Sequence, residues 1–134
     1  MRLLGVDFGS KRIGIAVGEK EHGITTARNS LAASGTLAKD AQQISAVAES
    51  EKADAIVVGV PENLPGKDQR MAKVCSQLVD RIREEGWTVF TVNEAYTSVE
   101  SVEGLSSVYK PNTVRKRVDG EAARLILELY FNGE

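Results

Sequence analysis

The first part of the chain contains two short apolar runs joined by a tight turn. Residues 2–7 and 12–17 are rich in Leu, Val, Ile, Ala and Gly, and each has the length of a strand. The letters FGSK lie between them, and glycine permits the backbone angles that such a turn requires. Residues 24–31 form a third, weaker strand-like segment. The pattern therefore predicts a meander of three adjacent strands.

The period of the apolar positions changes in the next segment, between residues 34 and 54. Apolar side chains now recur at intervals of 3 and 4, which is the spacing of one face of a helix. A second segment of this kind covers residues 67–85 and is followed by Gly86, a residue typical of helix C-termini. The positions predicted to face inward are Leu37, Ala41, Ile44 and Ala48 in the first helix and Met71, Val74, Leu78 and Ile82 in the second.

Two more strands and further helices are predicted in the second half of the chain. AIVVGVP, residues 55–61, is an unbroken apolar run, typical of a strand buried on both faces. WTVFTVNE, residues 87–94, predicts a fifth strand, and Thr97 and Glu100 have the spacing of a capping box for a short helix. The last helix is predicted to begin near Asp119. The residues expected to be buried on it are Ala122, Ile126, Leu129 and Tyr130.

The predicted order of elements is βββαβαβαα. The strand–helix–strand units favour right-handed crossovers and parallel pairing, whereas the initial meander is antiparallel. In a mixed sheet of this order, the first and fourth strands are central neighbours and the fifth runs beside the fourth. The sequence thus predicts an α/β fold of ribonuclease H-like architecture. We expect a mixed five-stranded sheet flanked by helices, in a single domain over residues 1–134.

The amino-acid composition is typical of a globular protein and excludes several other classes. Charged residues make up 27% and hydrophobic residues 42% of the chain, as in globular proteins with a proper core. No apolar stretch approaches the ~20 residues that span a bilayer, so no membrane partner is expected. The single cysteine, Cys75, excludes an internal disulfide and favours a cytoplasmic location. The net charge of −2 gives no bulk attraction to nucleic acid, so such affinity depends on where the charges lie.

Three acids occupy the ends of predicted elements: Asp7 after the first strand, Glu94 after the last strand and Asp119 at the start of the final helix. Parallel strands end at the same edge of a sheet, so these acids are expected to meet there. Carboxylate oxygens are the ligands that hard divalent cations prefer. Two cations about 3.5–4 Å apart can activate water and stabilise the leaving oxygen in phosphodiester hydrolysis. Taken singly, the acids also have structural interpretations: a turn residue, a solvated strand end and a helix N-cap.

Four segments resemble the motifs of one known family. They are GVDFGSKRIGIAVG, IVVGVPENLPG, NEAYTSVES and KRVDGEAARLIL, and they follow the family's order over nearly the whole chain. The chain therefore resembles the YqgF family, also called RuvX or the pre-16S rRNA nuclease family, within the Holliday-junction-resolvase-like group. The resemblance implies that Asp7, Glu94 and Asp119 are the catalytic acids and metal ligands. It also implies that Lys11 and Arg12 match the basic pair after the first turn.

The function that the resemblance implies is metal-dependent cleavage of structured nucleic acid, with Mg²⁺ or Mn²⁺ as the cofactor. The reaction proposed for the family is maturation of the 5′ end of pre-16S rRNA. The alternative is resolution of Holliday junctions in DNA. This chain departs from the family where Asn93 and Ala95 flank Glu94, since the family has an acid and an arginine there. The segment GVPENLPGKDQRM also differs from the family's usual loop.

A basic run, KPNTVRKRVD, leads into Asp119. Such a run alone is usually a solvated loop. Beside clustered acids it is better interpreted as a phosphate-positioning surface, which supplies affinity and salt dependence without reading sequence. The residues predicted to bind nucleic acid are Lys11, Arg12, Lys110, Arg115, Lys116 and Arg117.

Two other classes of function are compatible with parts of the pattern. ATP-dependent kinases and chaperone-like ATPases also open with an apolar-Asp-x-Gly hairpin, but they need a second large domain, for which 134 residues leave no room. A non-catalytic RNA-binding or transcription-linked module is the other alternative, and Asn93 and Ala95 keep it open. The sequence leaves undecided whether the partner is structured RNA or branched DNA, and whether the protein is a monomer or a homodimer.

Overall fold

Five strands and three helices make up the described part of a computed structural model, which gives the backbone of residues 1–61, 70–93 and 111–133. Side chains are described for the same residues except 111–119. The capping-box helix predicted around Thr97 and Glu100 lies outside the described residues. The strands are β1 (Arg2–Phe8), β2 (Arg12–Glu19), β3 (Ile24–Ala32), β4 (Ala55–Val60) and β5 (Val89–Asn93). The helices are α1 (Leu37–Ser50), α2 (Arg70–Glu84) and α3 (Pro111–Gly133).

The strands form a mixed sheet in the order β3-β2-β1-β4-β5. The pairs β1–β2 and β2–β3 are antiparallel, whereas β1–β4 and β4–β5 are parallel. This confirms the predicted meander and the predicted position of the fourth strand between the first and the fifth. Because β1, β4 and β5 run in the same direction, they end together at one edge of the sheet, which we call the carboxyl edge.

Helices cover both faces of the sheet. Leu4 and Val6 of β1 pack in the core under α1 and α2, whereas Leu3 packs in a second core under α3. The division follows from the two-residue period of a strand, which sends successive side chains to opposite faces. Most of β4 is buried, as expected for a strand covered on both sides. In the described part of the chain, no helix has the length and apolar character needed to cross a membrane.

Most of the predicted core positions are confirmed. On α3, the buried stripe also includes Ala123 and Leu127. Leu129 lies off that stripe and is 40% exposed, so the prediction that it is buried was wrong. The fully buried predicted positions are Ala41, Ile44, Ala48, Leu78, Ile82, Ala122 and Ile126, Tyr130 is 7% exposed, and Leu37, Met71 and Val74 are partly buried against the same core.

The last helix begins earlier than predicted. It starts at Pro111, so Asp119 lies inside it and does not open it. Proline is favoured at the first position of a helix because its fixed φ suits the helix and the missing N–H has no partner there. In the sequence, Val114 and Val118 also extend backward the four-residue spacing of the buried residues that follow. The basic run at residues 115–117 is therefore helical and is not a loop.

The helix α3 approaches the sheet closely at glycines. A Cβ atom built on Gly5 would lie 2.7 Å from Leu127 Cγ and 2.8 Å from the carbonyl oxygen of Ala123. A Cβ on Gly120 would lie 3.0 Å from the Cβ of Ala27. These distances are shorter than ordinary van der Waals contacts, so a side chain at Gly5 would force the helix and the strand apart.

An ion-pair network ties the end of α1 to the meander. Glu51, directly after α1, accepts hydrogen bonds from Arg2 of β1 at 3.0 Å and from Arg28 of β3 at 3.0 Å. Arg2 also pairs with Glu19 of β2 at 2.8 Å. The hydrogen bond from Arg28, followed by that from Arg2, holds the pKa of Glu51 below its ordinary value.

We expect Gly5→Ala to destabilise the fold. The added methyl group would meet the backbone of α3, and overpacking of this kind costs about 1–3 kcal/mol of unfolding free energy. Urea denaturation followed by circular dichroism measures the change. Gly133→Ala is the matched control, because a Cβ there meets no atom within 4 Å. Equal stability of the two variants would contradict the close approach at Gly5.

We also expect Glu51→Gln to reduce the acid dependence of stability. A carboxyl whose pKa is lowered by folding stabilises the protein above its ordinary pKa, and this contribution is lost as the pH falls through the folded-state pKa. The variant should therefore be less stable than the wild type at pH 7, and the difference should shrink below about pH 4. Denaturation at both pH values tests this, with the exposed Glu49→Gln as the control. A difference that stays constant with pH would count against the network.

Candidate functional site

The carboxyl edge carries Asp7, the penultimate residue of β1. Along β1, Leu3, Gly5 and Asp7 share the face covered by α3, because alternate residues of a strand face the same side. The Asp7 residue is partly exposed, in contrast to the buried apolar residues before it. The strand thus presents a carboxylate where its apolar part ends, next to solvent.

A tight hairpin fixes the residues that follow Asp7. Phe8 pairs with Ile13, and the N–H of Gly9 donates to the carbonyl oxygen of Arg12 at 2.9 Å. A Cβ on Gly9 would lie 2.8 Å from that same oxygen, so the closed turn requires glycine. The turn brings Lys11, which is exposed, to the same end of the sheet as Asp7. The predicted basic residues Lys11 and Arg12 therefore lie at the carboxyl edge.

A glycine lies on β4 beside Asp7. The register pairs Val6 with Val58, and one further residue along sets Asp7 beside Gly59. Gly59 in turn pairs with Val92 of β5. By strand alternation, all three residues belong to the face under α3. Because Gly59 has no side chain, β4 places no group above the sheet between β1 and the end of β5.

The described part of β5 ends one residue before the predicted catalytic glutamate. Asn93 is its last residue and pairs with Val60 of β4. Glu94 itself lies outside the described residues, as does Ala95. The parallel pairing nevertheless brings the end of β5 to the carboxyl edge, where the sequence predicted it.

Asp119 lies in α3, one residue before Gly120, which approaches Ala27 of β3. Ala123 lies over Gly5, and Phe131 lies over Gly18, which pairs with Leu3, so α3 runs antiparallel to β1. Gly120 lies against Ala27, which is in register with Gly5 through Ala16, so α3 also crosses the sheet toward β3. The side chain of Asp119 lies outside the described part of the structure.

The first turns of α3 precede its contacts with Ala27 and Gly5, and because the helix runs antiparallel to β1 they lie toward the carboxyl edge. The backbone of Arg115, Lys116 and Arg117 lies in these turns, and their side chains are outside the described part. Lys110 lies outside the described residues. The binding role predicted for this run and for Lys110 stays a prediction.

The donor set available to a cation is oxygen-rich. Among the described residues, no three His, Cys, Asp or Glu side chains gather into one group. Asp7 is the described member of the predicted set, and its carboxylate is a hard oxygen ligand of the kind that suits Mg²⁺ or Mn²⁺. These residue types fit a hard divalent cation. Glu94 and the side chain of Asp119 lie outside the described part of the structure.

A cavity that sequence reasoning missed opens beside the same edge. It has a volume of about 420 Å³ and lies between α2 and the end of β5. Polar side chains of Ser76, Asp80 and Arg83 line its α2 side, and Thr91 and Asn93 line its β5 side. The polar positions on α2 are spaced by 4 and 3 residues and flank its buried stripe. That spacing was a visible signal in the sequence.

The chain is similar to one protein family and to named proteins of other bacteria over nearly its whole length. The family model RuvX, described as Holliday junction resolvase, matches residues 1–133. A protein of Chromohalobacter salexigens named "Putative pre-16S rRNA nuclease" is 33% identical over 131 residues, covering 96% of this chain and 88% of that protein. A protein of the same name from Shewanella oneidensis is 32% identical, covering 96% of this chain and 92% of its own length.

Solved structures show the same fold at low sequence identity. Thermus thermophilus RuvC in complex with a Holliday junction substrate superposes with a TM-score of 0.57 at 13% identity, covering 97% of this chain and 94% of that one. A second Thermus thermophilus RuvC structure gives a TM-score of 0.51 at 17% identity, covering 97% and 95%. These likenesses confirm the ribonuclease H-like fold predicted from the order of elements. With the family model matched over residues 1–133, the chain belongs to the RuvX family and is a nuclease.

Proposed function

We propose that this protein is a metal-dependent endonuclease that hydrolyses phosphodiester bonds in structured nucleic acid, with the 5′ end of pre-16S rRNA as its substrate. The observation that carries the proposal is the placement of the partly exposed Asp7 at the carboxyl edge, where β1, β4 and β5 end together. The name of the relatives from Chromohalobacter and Shewanella supports the choice of substrate.

Three acids would form the catalytic centre. Glu94 follows Asn93 directly, and continued alternation from Val92 would turn it to the same face as Asp7. Asp7 and Glu94 would then face each other across β4, about 10 Å apart between strand axes. Gly59 contributes no side chain to the space between them. Asp119, one helical residue before Gly120, would complete the group from above the sheet.

Asp7, Glu94 and Asp119 are the residues that would hold the divalent cations. Without cations, three carboxylates at one point would repel one another and raise their pKa values. When bound, Mg²⁺ or Mn²⁺ supplies Lewis-acid stabilisation of the developing charge and a nucleophile at neutral pH. The side chains themselves contribute charge and position, because Asp7 is fixed by a paired strand and Asp119 by a packed helix.

Basic residues around the acids would position the phosphate backbone. Lys11 is exposed at the tip of the β1–β2 hairpin, and Arg12 follows it. The run 115–117 lies in the first two turns of α3, and Lys110 precedes this helix in the sequence. Contacts of this kind supply affinity and salt dependence but no base readout. We therefore propose recognition by backbone shape and charge.

Resolution of DNA junctions is the second candidate function. The description of the matching family model favours it. A junction has two cleavage sites related by twofold symmetry, so this function would suit a homodimer, whereas trimming of an RNA end would suit a monomer.

We expect Asp7→Asn to lower cleavage by about 100-fold or more, because the loss of a charged ligand removes several kcal/mol of transition-state stabilisation. The measurement uses labelled pre-16S rRNA and a four-way DNA junction, each with Mn²⁺ or with EDTA. Preference for one substrate decides between the two candidate functions.

The matched control for this variant is Asp54→Asn. Asp54 lies at the opposite end of the sheet, directly before β4, and accepts a hydrogen bond from the N–H of Arg2 at 2.9 Å. An asparagine oxygen preserves that bond, so cleavage should be unchanged. Full activity of a folded Asp7→Asn protein would overturn the proposed mechanism.

We expect the replacement of Arg115, Lys116 and Arg117 by Gln to weaken nucleic-acid binding and to flatten its salt dependence. The slope of log K against log salt should fall by about 0.7–0.9 for each lost phosphate contact. Fluorescence anisotropy over a salt series measures it. Neutralising Lys39, Lys73 and Arg81 on the exposed surfaces of α1 and α2 is the control for net charge. An unchanged slope would remove the run from the binding surface.

A further inference from the structure

The cavity between α2 and β5 lies next to the proposed catalytic centre but on the other face of the sheet. Asn93 and Val60, at the ends of β5 and β4, line it. Asn93 directly precedes Glu94, and Val60 follows Gly59. The cavity and Asp7 therefore open at the same carboxyl edge. A strand of nucleic acid that crosses this edge can place a phosphate on one face and a base on the other.

The walls of the cavity combine an apolar surface with hydrogen-bonding groups. Val79 is 3% exposed and, with Pro61, provides the apolar part. The hydroxyl groups of Ser76 and Thr91 and the amide of Asn93 provide donors and acceptors. Clefts of about 300–1,000 Å³ that combine apolar walls with a few polar groups are typical of small-ligand sites.

Arg83 gives the cavity a fixed planar cation. Its Nη2 donates to the carbonyl oxygen of Val89 at 2.8 Å, which anchors the guanidinium group against the first residue of β5. An anchored guanidinium loses less conformational entropy on binding than a mobile one. Its flat face is a platform on which a nucleobase can stack.

The charges in the cavity decide between a base and a phosphate. Asp80 and Arg83 both line it, so their formal charges cancel. A phosphate would therefore find no net positive charge to attract it. A nucleobase is neutral, and its edge presents both donors and acceptors, so it matches the lining.

We infer that this cavity holds an unpaired nucleobase of the substrate strand, adjacent to the phosphate that is cut. The inference rests on the proposed nuclease function and adds a basis for substrate selection. A base enters such a site most easily when it is already unpaired, because no stacking or pairing has to be broken. The enzyme would therefore select cleavage sites with a single-stranded nucleotide beside them, such as the tail of a precursor RNA.

The test compares two fluorescein-labelled RNA hairpins by anisotropy in EDTA, so that binding is measured without cleavage. One hairpin carries a short single-stranded tail with bases, and the other carries the same tail made of abasic nucleotides. Wild-type protein should bind the tail with bases more tightly by about fivefold or more, as expected for stacking of a base.

Variants assign this preference to the cavity. Arg83→Ala should abolish it, whereas Arg81→Ala, a loss of the same charge two residues away on α2, should preserve it. Thr91→Val keeps the shape of an exposed strand residue and should lower the preference by about threefold through one lost hydrogen bond. If Arg83→Ala fails to fold, Thr91→Val decides the question.

Equal affinity of the wild type for both tails would overturn the base site and leave the proposed nuclease function standing. An equal effect of Arg83→Ala and Arg81→Ala would also overturn it, since bulk charge would then explain the binding. A base preference that persists while Asp7→Asn cuts normally would instead contradict the proposed catalytic centre alone. Failure of the wild type to bind either hairpin would overturn the base site together with the RNA substrate.

Discussion

The contact between α3 and the central strand at Gly5 sets the geometry of the proposed catalytic centre. The carbonyl oxygen of Ala123 lies 2.8 Å from the point where a Cβ of residue 5 would be. This contact fixes which turn of α3 lies level with the end of β1. A shift of one helical residue moves the helix by about 1.5 Å, whereas metal sites tolerate deviations of about 0.2 Å. A methyl group at residue 5 would therefore disturb the proposed grouping of Asp119 with Asp7 as well as the stability of the core.

The parallel strands of the sheet determine the lateral spacing of the groups in the proposed site. The strand β4 separates β1 from β5 and contributes Gly59 at the level of Asp7. The ends of β1, β4 and β5 contribute side chains to both faces of the sheet, because alternate residues of a strand face opposite sides. The face under α3 carries the acid, and the face under α2 carries the cavity with Arg83. The proposed chemistry and the proposed base recognition thus lie on opposite faces of the sheet.

Strong periodic patterns made most of the fold predictable. The runs that form β1, β2 and β4 are apolar enough to identify their elements, and the sheet order followed from the sequence of strands and helices. The start of α3 was not predicted, because the charged residues 115–117 suggested a loop, while Pro111 as a helix start was overlooked. The prediction that Leu129 is buried was wrong, because an apolar residue stays exposed when it lies off the packed stripe of its helix.

The candidate site was predictable only in part. The end of the first predicted strand located Asp7 at the carboxyl edge. The predicted glycine turn located Lys11 at the same end of the sheet. The grouping of Glu94 with the side chain of Asp119 stays a prediction. The cavity could not be found from spacing alone, because it depends on how α2 packs against β5, and that tertiary contact joins residues that are distant in the sequence. The hydrogen bond from Arg83 to Val89 is of the same kind.

The elements that cover the two faces of the sheet are made at different times. The helices α1 and α2 precede β5 in the chain, whereas α3 follows all the strands. Until α3 is synthesised, Leu3, Ala16 and Val57 form an uncovered apolar face, and the proposed acid on that helix is absent. A chain interrupted during translation would therefore expose a surface that proteases and chaperones recognise, and it would lack one of the proposed catalytic acids.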